Sequence, residues 1–323
     1  MFTPSLFLAS AGQKLSPAAL SPVLRAALYV YVFLAFCSAV CYLHPRLRRP
    51  QSRRIRQAVT SWWAPALVGG LMAYGGLAVT LPICAGLSAG TLREFLRMLP
   101  VEERCPKLAA LTYAAIPIHY GALLLGGDRL FFGVILLYTF AVLPFLATLI
   151  RGPQAAWSLV PRLQLGLMLT VLALSHVARV FMLPAQAAAG CSGRVAFLLI
   201  CIMIGDAFQY FFGKLLGRHA LAPVLSPKKT WEGLAGGVIM AAAVAAAAAP
   251  MLIGVSRPAG AAVGAALGIG GLFGDLSISA LKRGAGVKDT GAVLPGQGGL
   301  LDRCDSLLIS APLYCYGMAA LLP

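Results

Sequence analysis

Eight apolar runs, each long enough to cross a lipid bilayer, restrict this chain more than any other feature does. They fall at about 27–43, 108–126, 130–150, 163–183, 193–212, 233–253, 258–279 and 305–322. A hydrocarbon core about 30 Å thick takes about 20 helical residues to cross. Backbone polar groups cannot go unpaired in lipid, and no alternating barrel pattern occurs, so the runs are read as helices. Composition agrees, with 59% hydrophobic and 11% charged residues, where a soluble domain carries about 25% charged. A soluble protein with a very large core would still need a charged exterior. The expected fold is therefore all-α, a polytopic integral membrane protein.

The stretch from Ala58 to Glu94 is too long for one span and slightly short for two. Charge decides between them. The loop at 44–56 carries six arginines, and Arg93, Arg97, Arg104 and Lys107 follow Thr91; both segments favour the cytoplasm. A tight hairpin turning near Gly75–Gly76 puts both there. The count becomes about ten spans (eight to ten), with both termini outside. Continuing the alternation places 151–162, 213–232 and 280–304 on the cytoplasmic side, and the last two are the most charged loops of the C-terminal half. The expected location is a bacterial inner membrane, with the chemistry facing the cytoplasm.

A formal charge of +16 fits basic cytoplasmic loops and attraction to anionic lipid. No basic-aromatic module supports nucleic acid as a partner. The eight cysteines show no CxxC pair or framework spacing, which argues against zinc and a disulfide scaffold. The N-terminus lacks a basic start before its apolar stretch and reads as a poor secretory signal. Gly260, Gly264 and Gly268 recur every four residues, with Gly270, Gly271 and Gly274 following; this spacing lets helix backbones approach closely. The alanine run 241–249 is read as a packed helix. No repeat or soluble domain is visible. Residues 1–323 read as one membrane domain, with 1–199 mainly helical scaffold and 200–306 carrying the chemistry.

Charge inside a span is costly and points to function. Asp206 and Asp275 both lie within apolar runs, and six of the ten acidic residues fall after residue 205. Asp275, Ser279 and Lys282 sit at i, i+4 and i+7, so one helix face presents a carboxylate, a hydroxyl and an ammonium. Asp302 and Asp305, three apart at a helix start, are expected to share a face and could hold one Mg²⁺, with waters and phosphates completing its shell. Lys282, Arg283, Lys288 and Arg303 supply positive charge for a polyphosphate. Gly284, Gly286, Gly291, Gly296, Gly298 and Gly299 allow anion-cradling turns, and a helix beginning near Leu300 could aim its N-terminus at an anion.

The order of residues is more specific. The string from Ser279 through Lys282-Arg283, Lys288-Asp289, Gly291, Leu294-Pro295, Gln297-Gly298-Gly299 and Asp302-Arg303 to Asp305 resembles the signature of the CDP-diacylglycerol synthase (phosphatidate cytidylyltransferase) family. SPKKTWEGLAGG (226–237) is similar to that family's Ser-Pro-x-Lys-Thr-x-Glu-Gly element. Asp206 with Gly213-Lys214-x₂-Gly217 matches its helix end, and Arg93-Glu94-Phe95 is similar to its N-terminal region. Three blocks in order cover about 200 to 306. Two positions depart: Gln297 stands where the family usually has His, and Cys304 replaces an aliphatic residue or Thr. Gln keeps hydrogen-bonding capacity but cannot titrate near neutrality. The first span and its arginine-rich loop lie beyond the shared core.

The resemblance implies attack by a lipid phosphate oxygen on the α-phosphorus of CTP, giving CDP-diacylglycerol and pyrophosphate from phosphatidate. A phosphomonoester has its second pKa near about 6, so no general base is required, which fits the lack of a convincing catalytic residue among His44, His119, His176 and His219. Resemblance and helix spacing together assign Asp275, Asp302 and Asp305 to Mg²⁺, with Asp206 a further candidate and a second cation left open. Lys282, Arg283, Lys288, Asp289 and Arg303 are expected to be catalytic, the basic ones on phosphates and Asp289 near the metal. Ser226, Lys229, Thr230, Ser279, Gln297, Gly298 and Gly299 are expected to bind substrate; Lys228 fits a solvated loop charge equally well. The expected partners are CTP, phosphatidate or a related lipid phosphate, membrane lipids and, as an option, a second copy in a homodimer. The alternatives are a CTP-dependent enzyme acting on another lipid phosphate or alcohol, an inactive paralogue, and an ion-coupled transporter. A CDP-alcohol phosphotransferase is excluded, because the chain has no Asp-Gly pair.

Overall fold

The computed structural model describes residues 17–43, 56, 59–60, 62–125, 127–183, 189–291 and 298–321. Among them, nine helices are long and apolar enough to cross a membrane. They are α1 (Pro17–Leu43), α2 (Trp63–Arg97), α3 (Pro106–Leu125), α4 (Arg129–Arg151), α5 (Val160–Met182), α6 (Gly190–Leu216), α7 (Trp231–Leu252), α8 (Arg257–Gly284) and α9 (Leu301–Leu321). The protein is thus an all-α polytopic membrane protein. Most of the N-terminal signal-like stretch and the arginine-rich loop, together with Gln297, lie outside the described residues.

The expected hairpin is present within α2. Gly76 has φ 63° and ψ −159°, a left-handed turn open to glycine at little cost. The Thr80 hydroxyl donates to the Met72 carbonyl at 3.0 Å, satisfying one of the backbone groups that the break frees. The two arms end near each other: Trp62 and Pro65 line the same cavity as Asp206 and Asp302, while Glu94 reaches Leu300. Counting the arms separately gives ten apolar segments. The first arm, Trp63 to Gly75, is about 20 Å long at 1.5 Å per residue, short of a full crossing.

The helices from α6 onward pack in sequence order, α6 on α7, α7 on α8 and α8 on α9. Small residues make this possible. Ala241, Ala245 and Ala249 of α7 are buried against Gly264 and Gly260 of α8. Further along α8 the glycines turn to α9, and a β-carbon on Gly274 would lie 2.1 Å from the Asp305 carbonyl oxygen. Backbones that close bring side chains near the crossing together, as is usual where small residues drive packing in lipid.

Charged ends extend three helices beyond their apolar runs. α6 continues to Leu216, α8 to Gly284, and α9 begins at Leu301, not near 305. Helical hydrogen bonding does not stop where the hydrocarbon stops, so Lys214, Lys282, Arg283 and Asp302 sit on helical turns. The 213–232 segment is more than a loop. It contains an antiparallel pair, β1 (Ala220–Ala222) and β2 (Ser226–Thr230), with Ala222 opposite Ser226 and Ala220 opposite Thr230.

Candidate functional site

The SPKKTWEG segment carries its own structural logic. Thr230 is the N-cap of α7, and its hydroxyl accepts the Gly233 N–H at 3.1 Å, a contact worth about 1 kcal/mol. Glu232, in the first turn, accepts the backbone N–H groups of Arg218 and His219 at 3.1 and 3.3 Å and pairs with His219 Nδ1 at 2.6 Å. Capping therefore engages Thr230, and His219 is held by a carboxylate. Lys229 is what the hairpin delivers: its ammonium reaches Asp275 Oδ2 on α8 at 2.5 Å. Ser226 begins the paired strand, and Lys228 is exposed beside it.

Asp275, Asp206 and Asp305 come together from α8, α6 and α9. Asp305 lies within reach of the like charges of both other carboxylates. Asp206 hydrogen-bonds Ser306, and the Ser279 hydroxyl donates to Asp275 Oδ1 at 3.2 Å. Like charges gathered in one place are relieved by a positive neighbour or by one carboxyl holding its proton. Lys229 does so for Asp275.

Asp302 is turned elsewhere. Its Oδ1 accepts from Lys282 Nζ at 2.6 Å, and its Oδ2 accepts from Thr290 N and Gly299 N at 2.9 Å each, with Thr290 Oγ1 3.0 Å away. Both oxygens of Asp302 are therefore engaged by protein donors. Its side chain is 8% exposed and that of Lys282 12%. The expected sharing of one cation by Asp302 and Asp305 is thus not the arrangement found: Asp302 anchors the loop, while Asp305 looks toward Asp206 and Asp275. Among the described residues, no three acidic, histidine or cysteine side chains converge tightly enough to form a ready-made metal cage.

Two residues without an assigned role complete the anchor. Glu94, at the end of α2, is 4% exposed. It accepts the N–H of Leu300 and of Leu301 at 2.8 Å each and the Thr290 hydroxyl at 2.8 Å. The start of α9, expected to aim free N–H groups at an anion, is occupied by this carboxylate. Thr290 is 7% exposed and bridges Glu94 to Asp302. Gly298, with φ 84°, makes the turn that presents the Gly299 N–H. The one hint in sequence was Arg93-Glu94-Phe95; nothing singled out Thr290.

The remaining basic residues fringe the site. Arg283, Lys288 and Asp289 are exposed; Arg283 donates to the Val287 carbonyl. Arg303 lines a cavity shared with Asp206, Asp302 and Asp305. His119 and His176 are buried in the scaffold with Ser175 and Leu172 as partners, far in kind from a solvent-facing base.

Fold and site define a polytopic helical membrane protein with a carboxylate group, a buried ion pair and a basic fringe gathered at one end of its bundle. Residues 55–321 match the cytidylyltransferase family, and the chain belongs to that family, the one its motifs resemble. Membership supports a CTP-dependent nucleotidyltransferase. The chain is 35% identical over 273 residues to the uncharacterized protein YnbB of Escherichia coli, covering 84% of this chain and 89% of that one. It is 40% identical over 120 residues to the phosphatidate cytidylyltransferase of Mycobacterium bovis and 45% identical over 133 residues to that of Synechocystis. Those two matches cover 37% and 38% of this chain and 39% and 42% of the relatives, so the chain spans about two fifths of the phosphatidate cytidylyltransferases it matches.

Proposed function

We propose that the protein is a phosphatidate cytidylyltransferase of a bacterial inner membrane, with its site facing the cytoplasm. The observation that carries this reading is the gathering of Asp206, Asp275 and Asp305, with Lys229 on Asp275 and with Asp206 and Asp305 at the polar end of a largely apolar cavity. One substrate is then a soluble polyphosphate and the other a lipid phosphate.

In the reaction a phosphatidate oxygen bonds to the α-phosphorus of CTP as the bond from that phosphorus to pyrophosphate breaks. The nucleophile is already largely ionised at neutral pH, since its second pKa is about 6, so no side chain need take its proton. What the protein must do is hold two anions together and offset charge on the leaving group. Arg303 at the cavity wall and the exposed Arg283 and Lys288 are placed for phosphate oxygens. Lys282, neutralised by Asp302, positions the loop carrying Gly298 and Gly299.

The hard oxygens of Asp206, Asp275 and Asp305 suit magnesium, two of them at a time with phosphate and water completing the shell. When bound, the cation supplies charge neutralisation on the phosphates. A cation on Asp275 would compete with Lys229 for that carboxylate, and the freed ammonium would add positive charge for a phosphate.

The test is purified protein with labelled CTP, Mg²⁺ and phosphatidate. CDP-diacylglycerol and pyrophosphate in equal amounts are expected. Metal-dependent solute uptake without pyrophosphate release would overturn the enzyme reading. A second reading, transfer to another lipid phosphate, is favoured by Gln297 at the family's His position. It predicts turnover in a lipid-phosphate screen but none with phosphatidate.

A further inference from the structure

One buried charge in the scaffold has no counter-charge among the described residues. Arg194, one turn into α6, is 1% exposed. Its Nη1 donates to the Leu183 carbonyl at 2.6 Å, while its Nη2 is buried and has no hydrogen-bond partner. The titratable side chains that act on it are Cys191, Tyr314 and Cys315, with no carboxylate among them. The start of a helix favours negative charge, so the dipole of α6 does not offset the guanidinium. From Asp206 back to Arg194, α6 rises about 18 Å at 1.5 Å per residue, which sets this charge apart from the carboxylate site.

Tyr314 on α9 supplies a second unmet donor. It is equally buried, and its hydroxyl has no hydrogen-bond partner. Its ring stacks on Phe197 with centroids 6.0 Å apart and planes 23° from parallel. Phe197 and Arg194 are three residues apart on α6 and so share a face, the face that Tyr314 covers. The phenol and the guanidinium act on each other electrostatically, yet neither donates to the other. Two buried donors and one positive charge therefore border the same place, between α6 and α9.

A second buried guanidinium shows how such a charge is otherwise accommodated here. Arg179 of α5 lies 5.2, 5.3 and 5.5 Å from the ring centroids of Phe131, Phe132 and Tyr316, and it donates to Cys315 Sγ at 3.1 Å. Aromatic faces attract a guanidinium. Among the described residues no ring takes that place over Arg194.

A buried charge in a membrane-spanning helix is costly and points to function. Three kinds of occupant offer acceptors to the two donors. A water accepting from both would leave its own protons to be placed and the charge uncompensated. A phosphate would bring several oxygens to a place with two unmet donors. A small monovalent anion takes both donors and cancels a single positive charge. We infer that Arg194 and Tyr314 bind a monovalent anion of halide size, the counter-charge that holds α6 to α9 at the end away from the carboxylates. No residue of the carboxylate site takes part, so the inference stands apart from the reaction proposed above.

The test is thermal unfolding of the purified full-length protein in sodium gluconate, with chloride or bromide replacing gluconate at constant ionic strength. The melting temperature of the wild type should rise saturably with either halide. Tyr314→Phe keeps the ring on Phe197 and removes one donor. The halide concentration at half-response should then rise by about tenfold or more, the worth of one hydrogen bond to an ion. Arg194→Gln should abolish the response; where that variant fails to fold, Tyr314→Phe carries the test alone. Crystals grown with bromide should show its anomalous signal within hydrogen-bonding reach of Arg194 Nη2 and Tyr314 Oη. A melting temperature independent of halide, or a response that Tyr314→Phe leaves unchanged, would overturn the inference. So would a water in place of the bromide, or a rise with phosphate and none with halide.

Discussion

The Thr290 hydroxyl donates to Glu94 Oε2 at 2.8 Å across 196 residues of sequence. The same carboxylate takes two N–H groups at the start of α9. One residue of the N-terminal scaffold therefore fixes both ends of the loop that joins α8 to α9. Glu94→Gln keeps the shape but turns an amide donor toward at least one of three donors. A charged hydrogen-bond acceptor removed from a buried site costs about 1–3 kcal/mol. The free energy of unfolding should fall by that amount, and the melting temperature with it. Turnover should fall by up to about a hundredfold, because small displacements of positioned groups cost that much. Unchanged melting and unchanged turnover together would remove Glu94 from the site.

The Lys282–Asp302 pair is buried, and both Asp302 oxygens are hydrogen-bonded. Breaking one partner of such a pair costs about 3–5 kcal/mol, whereas replacing both can be nearly neutral. Lys282→Met and Asp302→Asn should each destabilise the protein strongly, and the double variant should recover much of the loss. A double-mutant cycle by chemical denaturation reads the coupling. Additive losses would show that the two side chains do not depend on each other.

Asp305→Asn should behave in the opposite way. It removes one of three mutually repelling carboxylates, so the folded protein should hold or gain stability while CTP turnover is abolished. A calcium or magnesium titration of the wild type should raise its melting temperature, and the variant should lose that response. Retained turnover in Asp305→Asn would refute its place at the metal.

The α8–α9 crossing offers a steric test with a matched control. A β-carbon at Gly274 would meet the Asp305 carbonyl oxygen at 2.1 Å, whereas one at Gly284 would meet nothing within 4 Å. Gly274→Ala should separate the helices and reduce turnover; Gly284→Ala should leave activity and stability unchanged. Equal behaviour of the two would mean that the crossing does not position Asp275 and Asp305.

Much of this was legible from residue order. The spans follow from apolar length, and the turn at Gly76 follows from the charges that had to end on one side. The family follows from three ordered motifs. Partner choice was not legible. Asp302 and Asp305 look equivalent at a spacing of three, and only the fold shows that both oxygens of Asp302 are engaged by Lys282, Thr290 and Gly299. Glu94 was hidden because its partners lie 206 and 207 residues away, a distance over which helical periodicity carries no information. The β1–β2 hairpin was missed because two short strands among polar residues leave no apolar pattern.

Lys229 holds a positive charge against Asp275 before any cation arrives. The protein thus holds a monovalent, tethered counter-ion at Asp275, which a divalent ion, if the proposed site takes one, would have to displace. The two occupants would differ by one unit of charge, and the displaced ammonium would stay tethered to its strand. Loading such a site would be an exchange more than a filling: an arriving metal–nucleotide complex would bring a phosphate for the freed lysine. A free divalent ion brings no such acceptor, so nucleotide and cation should bind most favourably together.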